Sequence, residues 1–368
     1  MAPTTHTTDS PGTSPAQVDP IIATKMRTGN HKFPIPFAGS PNTSEEHLPS
    51  FPDAEIACLT LDNKPGARIH YTYYPASKSP TNHPNPFSQT LIVFLNGLMS
   101  TRTSWDPTIQ SFLEKRIVGG LPYPAIVSYD RYGQGQSDRD PDDRDPPPSH
   151  GHDVLSAVKA LKQFTLQIWR DHNDPLKPTH YPCLIFVCNS IGCAIARLFT
   201  QSYPGTVSGL LFLDSIMANS DQQSFWPDPD APDFNPLALP GGVTQDEVRE
   251  TRQKYASLFG PDVPNMEGLS RRNLADLLPQ SDAPRLEGYL GTGPYLTVVG
   301  HDWETFAEES CTSSFSFSFF LFLSFSLFLF LSSFFSLFLS LSSPFLAPAH
   351  HPSSIQSAAP CASPKFSP

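Results

Sequence analysis

The chain is poor in positive charge: 24 Lys and Arg stand against 35 Asp and Glu, a net charge of −11. That balance leaves no general basic field to hold nucleic acid or anionic lipid, so no nucleic-acid partner is expected. Cysteine is scarce as well. Cys58, Cys183, Cys188, Cys193, Cys311 and Cys361 are not spaced with histidines as a zinc site would require. No metal is expected, and the cysteines read as reduced, mostly buried thiols of a cytoplasmic protein. An apolar leader is missing too. Residues 1 to about 50 are rich in Thr, Ser and Pro, offering neither a signal peptide nor enough apolar surface to fold alone, and they read as a flexible arm.

What the chain does hold is a succession of short apolar runs. Ala54 to Leu61 and Arg68 to Tyr74 flank Asp62-Asn63-Lys64-Pro65-Gly66, a reversing loop, and predict a β-hairpin. Leu91 to Leu95, Ala125 to Tyr129, Leu184 to Val187, Leu210 to Leu213 and Tyr295 to Val299 follow. Each is apolar on both parities, as strands covered on both faces must be. Helical periodicity lies between them at 104–117, 152–170 and 191–203. Strands alternating with helices imply an α/β fold with a mostly parallel sheet and right-handed crossovers. Residues 219–290 interrupt the alternation with a Pro-rich loop and helical stretches near 244–259 and 268–279, which read as a cap over the sheet's edge.

The C-terminal tail has almost no variety. From Ser313 to Ser343 only Ser, Phe and Leu occur. Residues 315–341 are uncharged and exceed the roughly 20 residues that span a bilayer, which would make them a membrane anchor. Spanning helices ordinarily carry Lys, Arg, Trp or Tyr at their ends, and none stands here. Ser, Phe, Leu and Pro can all be written with pyrimidine-only codons, so residues 311–368 are expected to be low-complexity, non-native translation of a pyrimidine-rich stretch.

Chemistry concentrates at Phe186-Val187-Cys188-Asn189-Ser190-Ile191-Gly192-Cys193-Ala194. A buried strand runs straight into a serine, and small residues around it let the chain turn sharply into a helix. The turn would lift the Ser190 hydroxyl above the sheet and aim a helix N-terminus at whatever it attacks. The simpler reading is a serine that merely caps a helix. Two further segments bear on the choice. Asn96-Gly97-Leu98 follows the third strand, and Asp130-Arg131-Tyr132-Gly133-Gln134-Gly135-Gln136-Ser137 follows the fourth.

Together these segments resemble the α/β-hydrolase superfamily, over about residues 50–310. The elbow carries Cys188 where that family usually has glycine, and Asn96 stands where it commonly has histidine. The resemblance implies an α/β-hydrolase domain over 51–310 with a cap at about 219–290, and a serine nucleophile at Ser190. It further implies an oxyanion hole from the backbone N–H groups of Leu98 and Ile191, and a triad acid at Asp302 or Asp214, both at strand ends. On residues alone, Asn96-Gly97 can equally be a tight turn, Asp214 a carboxylate bonding local backbone, and Asp302 a helix cap. The turn from Asp130 to Ser137 reads as architectural. It lacks the third glycine and the acidic partner of a dinucleotide site, and no cofactor is expected.

The catalytic histidine is the difficulty. Only His301, His350 and His351 follow Ser190, and none sits behind a recognisable eighth strand, so the base and that strand are expected to be missing. The implied reaction is hydrolysis of an ester, lactone or related carbonyl of a small, apolar molecule through an acyl-enzyme. Serine at the elbow argues against the branches whose nucleophile is aspartate. Phe225, Trp226, Phe234 and Leu237 would supply an apolar wall. The alternatives are an inactive truncated product and, if 315–341 is a genuine anchor, a membrane-tethered hydrolase.

Overall fold

The structure, a computed structural model, describes residues 51–78, 84–143, 150–173, 181–216, 218–220, 223–224, 227–239 and 241–300. The first arm, the tail from 311, the 315–341 run, His301 and Asp302 lie outside these residues, as do Phe225 and Trp226.

In chain order the strands are β1 (Glu55–Thr60), β2 (Arg68–Tyr74), β3 (Thr90–Leu95), β4 (Ala125–Tyr129), β5 (His152–Asp153), β6 (Cys183–Asn189), β7 (Val207–Leu213), β8 (Leu269–Ser270) and β9 (Tyr295–Val299). The α-helices are α1 (Asp106–Val118), α2 (Val154–Asp171), α3 (Ile191–Ser202), α4 (Gln245–Phe259) and α5 (Leu274–Leu277). Seven strands form one sheet in the order β1-β2-β4-β3-β6-β7-β9, while β5 and β8 make a separate two-residue ladder. β1 and β2 are the expected antiparallel hairpin, β2 runs antiparallel to β4, and every pairing from β4 through β3, β6 and β7 to β9 is parallel. This is the α/β-hydrolase architecture.

Alternation along the central strands splits the core in two. Leu91, Val93, Leu95, Phe186, Cys188, Leu210 and Phe212 pack on one face with Val158, Leu161, Phe164 and Ile168 of α2 and Ile195 and Phe199 of α3. Ile92, Phe94, Ile185, Val187, Leu211 and Leu213 pack on the other with Ile109, Phe112 and Leu113 of α1. Successive strand side chains point to opposite faces, so strands sandwiched by helices must be apolar throughout, and β3 is buried at all six positions.

Three expectations change in the structure. β9 is the outermost strand among the described residues, and its Leu296 and Val298 are 55% and 60% exposed rather than covered. The stretch 268–279 is not one helix: Gly268 takes a φ of +77°, Leu269 pairs with His152, and only the single turn of α5 follows. Leu237 forms no apolar wall. It stands in a short 3-10 turn begun by Asn235 and Pro236 and is 93% exposed, whereas Phe234 is half-buried. The helix expected near 244–259 does form: α4 is started by a reciprocal pair of hydrogen bonds between Thr244 and Glu247.

Candidate functional site

Because β3, β6 and β7 are parallel neighbours, their C-terminal ends fall on one edge of the sheet, and the residues that follow them meet there. Leu95 pairs with Cys188, and Asn189 with Leu213. Ser190 comes one residue after β6, Asp214 one after β7, and Leu98 three after β3. The backbone N–H of Ser190 donates to Leu213 O at 3.1 Å, and the side-chain amide of Asn189 donates to the same oxygen at 3.2 Å. The N–H of Asp214 donates to Val299 O at 2.9 Å, which seats it against the end of β9.

Ser190 has φ +50° and ψ −120°, a region L-residues avoid, directly between β6 and α3. It occupies the N-cap position of α3, yet its side chain makes no capping hydrogen bond. The conformation costs about 1–3 kcal/mol. It leaves the half-buried hydroxyl without the task that would explain a serine there on structural grounds. Ile191 opens α3, so its N–H is among those a helix leaves without an internal partner.

The sharp bend needs room on both sides. A Cβ on Gly192 would lie 2.6 Å from Leu95 O and 3.0 Å from Asn96 O, so only glycine lets α3 approach the end of β3. A Cβ on Gly97 would lie 2.6 Å from Asn189 Oδ1 and 3.5 Å from the Ser190 Cβ, which places the 96–98 loop against the elbow. Cys188 and Cys193 flank Ser190 but are 0% and 1% exposed. Burial pushes the Cys193 thiol up to about 12 and the Cys188 thiol well above its usual range, so neither supplies a thiolate.

Asn96 is a buried hub rather than a plain turn residue. Its side chain donates to Tyr129 O at 2.9 Å and Gln134 Oε1 at 3.1 Å, and accepts from Trp105 Nε1 at 2.8 Å. Asp130 also organises structure. Its carboxylate accepts from the N–H of Arg102 at 2.6 Å and from the Arg102 guanidinium at 2.8 Å, and Ser137 Oγ donates to its carbonyl at 2.7 Å. Gly133 and Gly135 have positive φ, and a Cβ on Gly135 would strike the Asp130 carboxylate.

Sequence reasoning passed over Glu267. It is 1% exposed and ion-paired with Arg131 at 3.0 Å. It also accepts from Gln134 Nε2 at 2.8 Å and from the backbone N–H of Met99 at 3.0 Å. Arg131 and Gln134 were visible in the glycine-bearing turn, but their partner stands 136 positions from Arg131, between α4 and β8, where nothing local distinguishes it.

Asp214 has φ +48° and is half-buried. Tyr255 of α4 lies near enough that the Asp214 charge adds to the burial that raises the phenol's pKa. The structure thus brings Ser190, Leu98, Ile191 and Asp214 to one edge, while Asp302 is outside the described residues. Of the four described histidines, three have side-chain partners elsewhere, His152 with Asp143, His150 with Asp262 O and His172 with Tyr73 and Glu55, and His70 lies in the hairpin opposite Cys58. Among the described residues no group of three or more His, Cys, Asp or Glu side chains gathers as metal ligands would, and no helix is long and apolar enough to cross a membrane.

A family model described as "Alpha/beta hydrolase family" matches residues 92–310. No curated protein sequence matches the chain. Among solved structures, the chain is similar to the Cif epoxide hydrolase of Acinetobacter nosocomialis at 18% identity, over 48% of this chain and 42% of that one, with a TM-score of 0.32. It is similar to a Vigna radiata epoxide hydrolase mutant at 14% identity, over 67% and 80%, with a TM-score of 0.38. A loop variant of the haloalkane dehalogenase DbeA from Bradyrhizobium elkanii gives 15% identity, over 57% and 52%, with a TM-score of 0.35. The chain thus spans less than half the length of the first of these, and likenesses of this degree carry no argument about the reaction.

Proposed function

The chain belongs to the alpha/beta hydrolase family, and from that premise we propose that it carries the machinery of a serine hydrolase, with Ser190 as the nucleophile toward an ester, lactone or related carbonyl of a small apolar molecule. The observation that carries the reading is the Ser190 backbone: a strained, positive-φ serine between strand and helix whose hydroxyl caps nothing. Strain of this kind concentrates at functional sites. Cys188 and Cys193 are sealed and protonated, which leaves the hydroxyl as the nucleophile of the elbow.

In this reading Ser190 Oγ attacks the carbonyl carbon and gives up its proton to a base as the new C–O bond forms. The carbonyl oxygen gains the electron pair and is held by the N–H groups of Leu98 and Ile191, donors already oriented before charge develops. Collapse of the tetrahedral species breaks the bond to the leaving oxygen, which takes the proton from the base. Water then repeats the sequence and releases the acid. The orienting carboxylate is Asp302 or Asp214. Asp214 is supported by its place beside the elbow, and Asp302 by its position after β9 in the sequence. Three of the free thiols, Cys183, Cys188 and Cys193, are buried, which suits a reducing, cytoplasmic setting.

A second reading, that the chain as given lacks its base, is favoured by the side-chain partners that three of the four described histidines have elsewhere and by the place of the fourth, His70, in the hairpin. One experiment separates the two. Hydrolysis of a p-nitrophenyl ester by the full chain and by Ser190→Ala is measured with and without added imidazole, which can stand in for a missing base. We expect the two proteins to differ little without imidazole and the parent alone to gain turnover with it. Ser190-dependent turnover in plain buffer would instead show a complete triad. No Ser190 dependence in either condition would remove the serine from the mechanism.

A further inference from the structure

The loop that follows β3 is held by an ion pair that reaches it from the cap region. Arg131 Nη1 donates to Asn96 O at 2.7 Å, and Arg131 Nη2 donates to Gly97 O at 3.2 Å. Gln134 Nε2 donates to the same Gly97 oxygen at 2.9 Å. Glu267 accepts from the same guanidinium and from the same Gln134 amide, and from the Met99 N–H at 3.0 Å. Both carbonyls before Leu98 and the N–H after it are therefore fixed by side chains that are themselves buried: Arg131 is 4% exposed, Gln134 2% and Glu267 1%.

The consequence follows from peptide geometry. In a trans peptide the carbonyl and the next N–H point in opposite directions across one rigid plane. The Arg131 and Gln134 side chains anchor the Gly97 carbonyl, with the Ser100 N–H a longer third donor at 3.4 Å, so the Leu98 N–H in that plane must face the opposite way. Met99 completes the turn at φ +58°, a conformation a non-glycine residue keeps only when its surroundings impose it. Glu267 is seated as firmly as the loop, because its own backbone lies where a Cβ on Gly133 would be, 2.2 Å from Glu267 O.

We propose that Arg131, Gln134 and Glu267 are positioning residues that aim the Leu98 N–H, and that Glu267 makes this aim depend on the seating of the cap region. The inference rests on the serine-hydrolase reading for its catalytic meaning, but the clamp itself is a statement about the loop. A buried ion pair is no reliable source of stability, since desolvation offsets its attraction. Its rigid, forked geometry is what a loop of backbone donors and acceptors can use.

The test uses the full chain and two variants. Glu267→Gln keeps the shape of the side chain and removes its charge. Arg131→Met combined with Glu267→Leu removes both charges at once, so that no lone buried ion is left to unfold the protein. The first measurement is the ¹⁵N order parameter of the Leu98 and Met99 amides. We expect values near about 0.85 in the parent, falling below about 0.6 in the double variant, while amides in β4 do not change. The second is imidazole-supported, Ser190-dependent ester hydrolysis. We expect kcat to fall at least about tenfold in the double variant with KM nearly unchanged, and Glu267→Gln to lie between, because an interaction made only in the transition state lowers kcat alone. Equal order parameters at Leu98 in the parent and the folded double variant would overturn the clamp. Rising KM with kcat intact would overturn its catalytic meaning. Absence of any Ser190-dependent rate in the parent would overturn the functional reading instead, and the order parameters alone would then decide the clamp.

Discussion

Ser190 holds a backbone conformation that a merely structural residue would be free to avoid. The cost of about 1–3 kcal/mol disappears in glycine, which reaches φ +50° without strain. Glycine loses about 0.5–1 kcal/mol through its more flexible unfolded chain. Ser190→Gly is therefore expected to be more stable than Ser190→Ala by about 1 kcal/mol, as read by urea denaturation. Ser190→Ala itself is expected to stay within about 0.5 kcal/mol of the parent, because no capping bond is lost. A loss nearer the ~1 kcal/mol of a true N-cap would show that the hydroxyl was capping after all. Gly192 tests the other side of the bend. A methyl group there meets the backbone oxygens of Leu95 and Asn96, neither of which can swing aside, so Gly192→Ala is expected to cost about 1–3 kcal/mol in the same assay. The elbow was legible because its requirements are local: a buried strand, a small residue, a serine and a helix in succession. Glu267 was not, since its meaning depends on a loop 168 positions away, and a lone glutamate in a charged stretch looks like a solvated one.

At the scale of elements, α2 shows how pattern and termini agree. Asp153 accepts from the N–H of Ser156 at 2.8 Å and starts the helix, and buried residues recur at Val154, Val158, Leu161, Phe164 and Ile168. The sequence reading placed this helix, α1, α3 and α4 to within a few residues, because periodicity survives in a single chain. It failed at 268–279, where apolar and charged residues at helical spacing were overruled by pairing of Leu269 with His152. His172, just past α2, ties the helix to the hairpin: its ring stacks on Tyr73 of β2 with centroids 3.8 Å apart and planes 7° apart. Burial holds the His172 pKa below its ordinary value of 6.5, against the opposing pull of Glu55 and Asp171. The unfolded chain therefore takes up this proton first, so the contribution is fully present above about pH 6.5 and is lost as pH falls from there through the folded-state pKa. Urea midpoints measured from pH 7.5 to 5.5 are expected to drop more steeply for the parent than for His172→Phe, which stacks without titrating. Parallel slopes would mean that burial in the fold does not shift the ring's pKa from its unfolded value.

For the whole molecule, the sheet's two flanks are built differently. β1 closes one side with a hairpin whose outer residues include Glu55 and Thr60, and Arg68 of β2 pairs with Asp138. β9 closes the described sheet on the other side with Leu296 and Val298 more than half exposed, at register positions opposite Leu210 and Phe212, which are buried against helices. The composition of β9 suits a strand covered on both faces, yet among the described residues it lies at the sheet's edge, the uncovered apolar edge to be expected where an eighth strand is missing. Composition reports which surroundings a strand suits, whereas neighbours along the sheet depend on residues far away in the chain. An apolar strand at such an edge is a template for pairing with another copy, and natural edges are commonly blunted by lysine. Leu296→Lys combined with Val298→Lys is therefore expected to reduce concentration-dependent light scattering of the full chain several-fold. The urea midpoint should stay nearly unchanged, because both side chains already face solvent. If the double variant scatters like the parent, the association arises elsewhere on the molecule. If its midpoint falls sharply, these side chains are covered in solution, and β9 is an interior strand there.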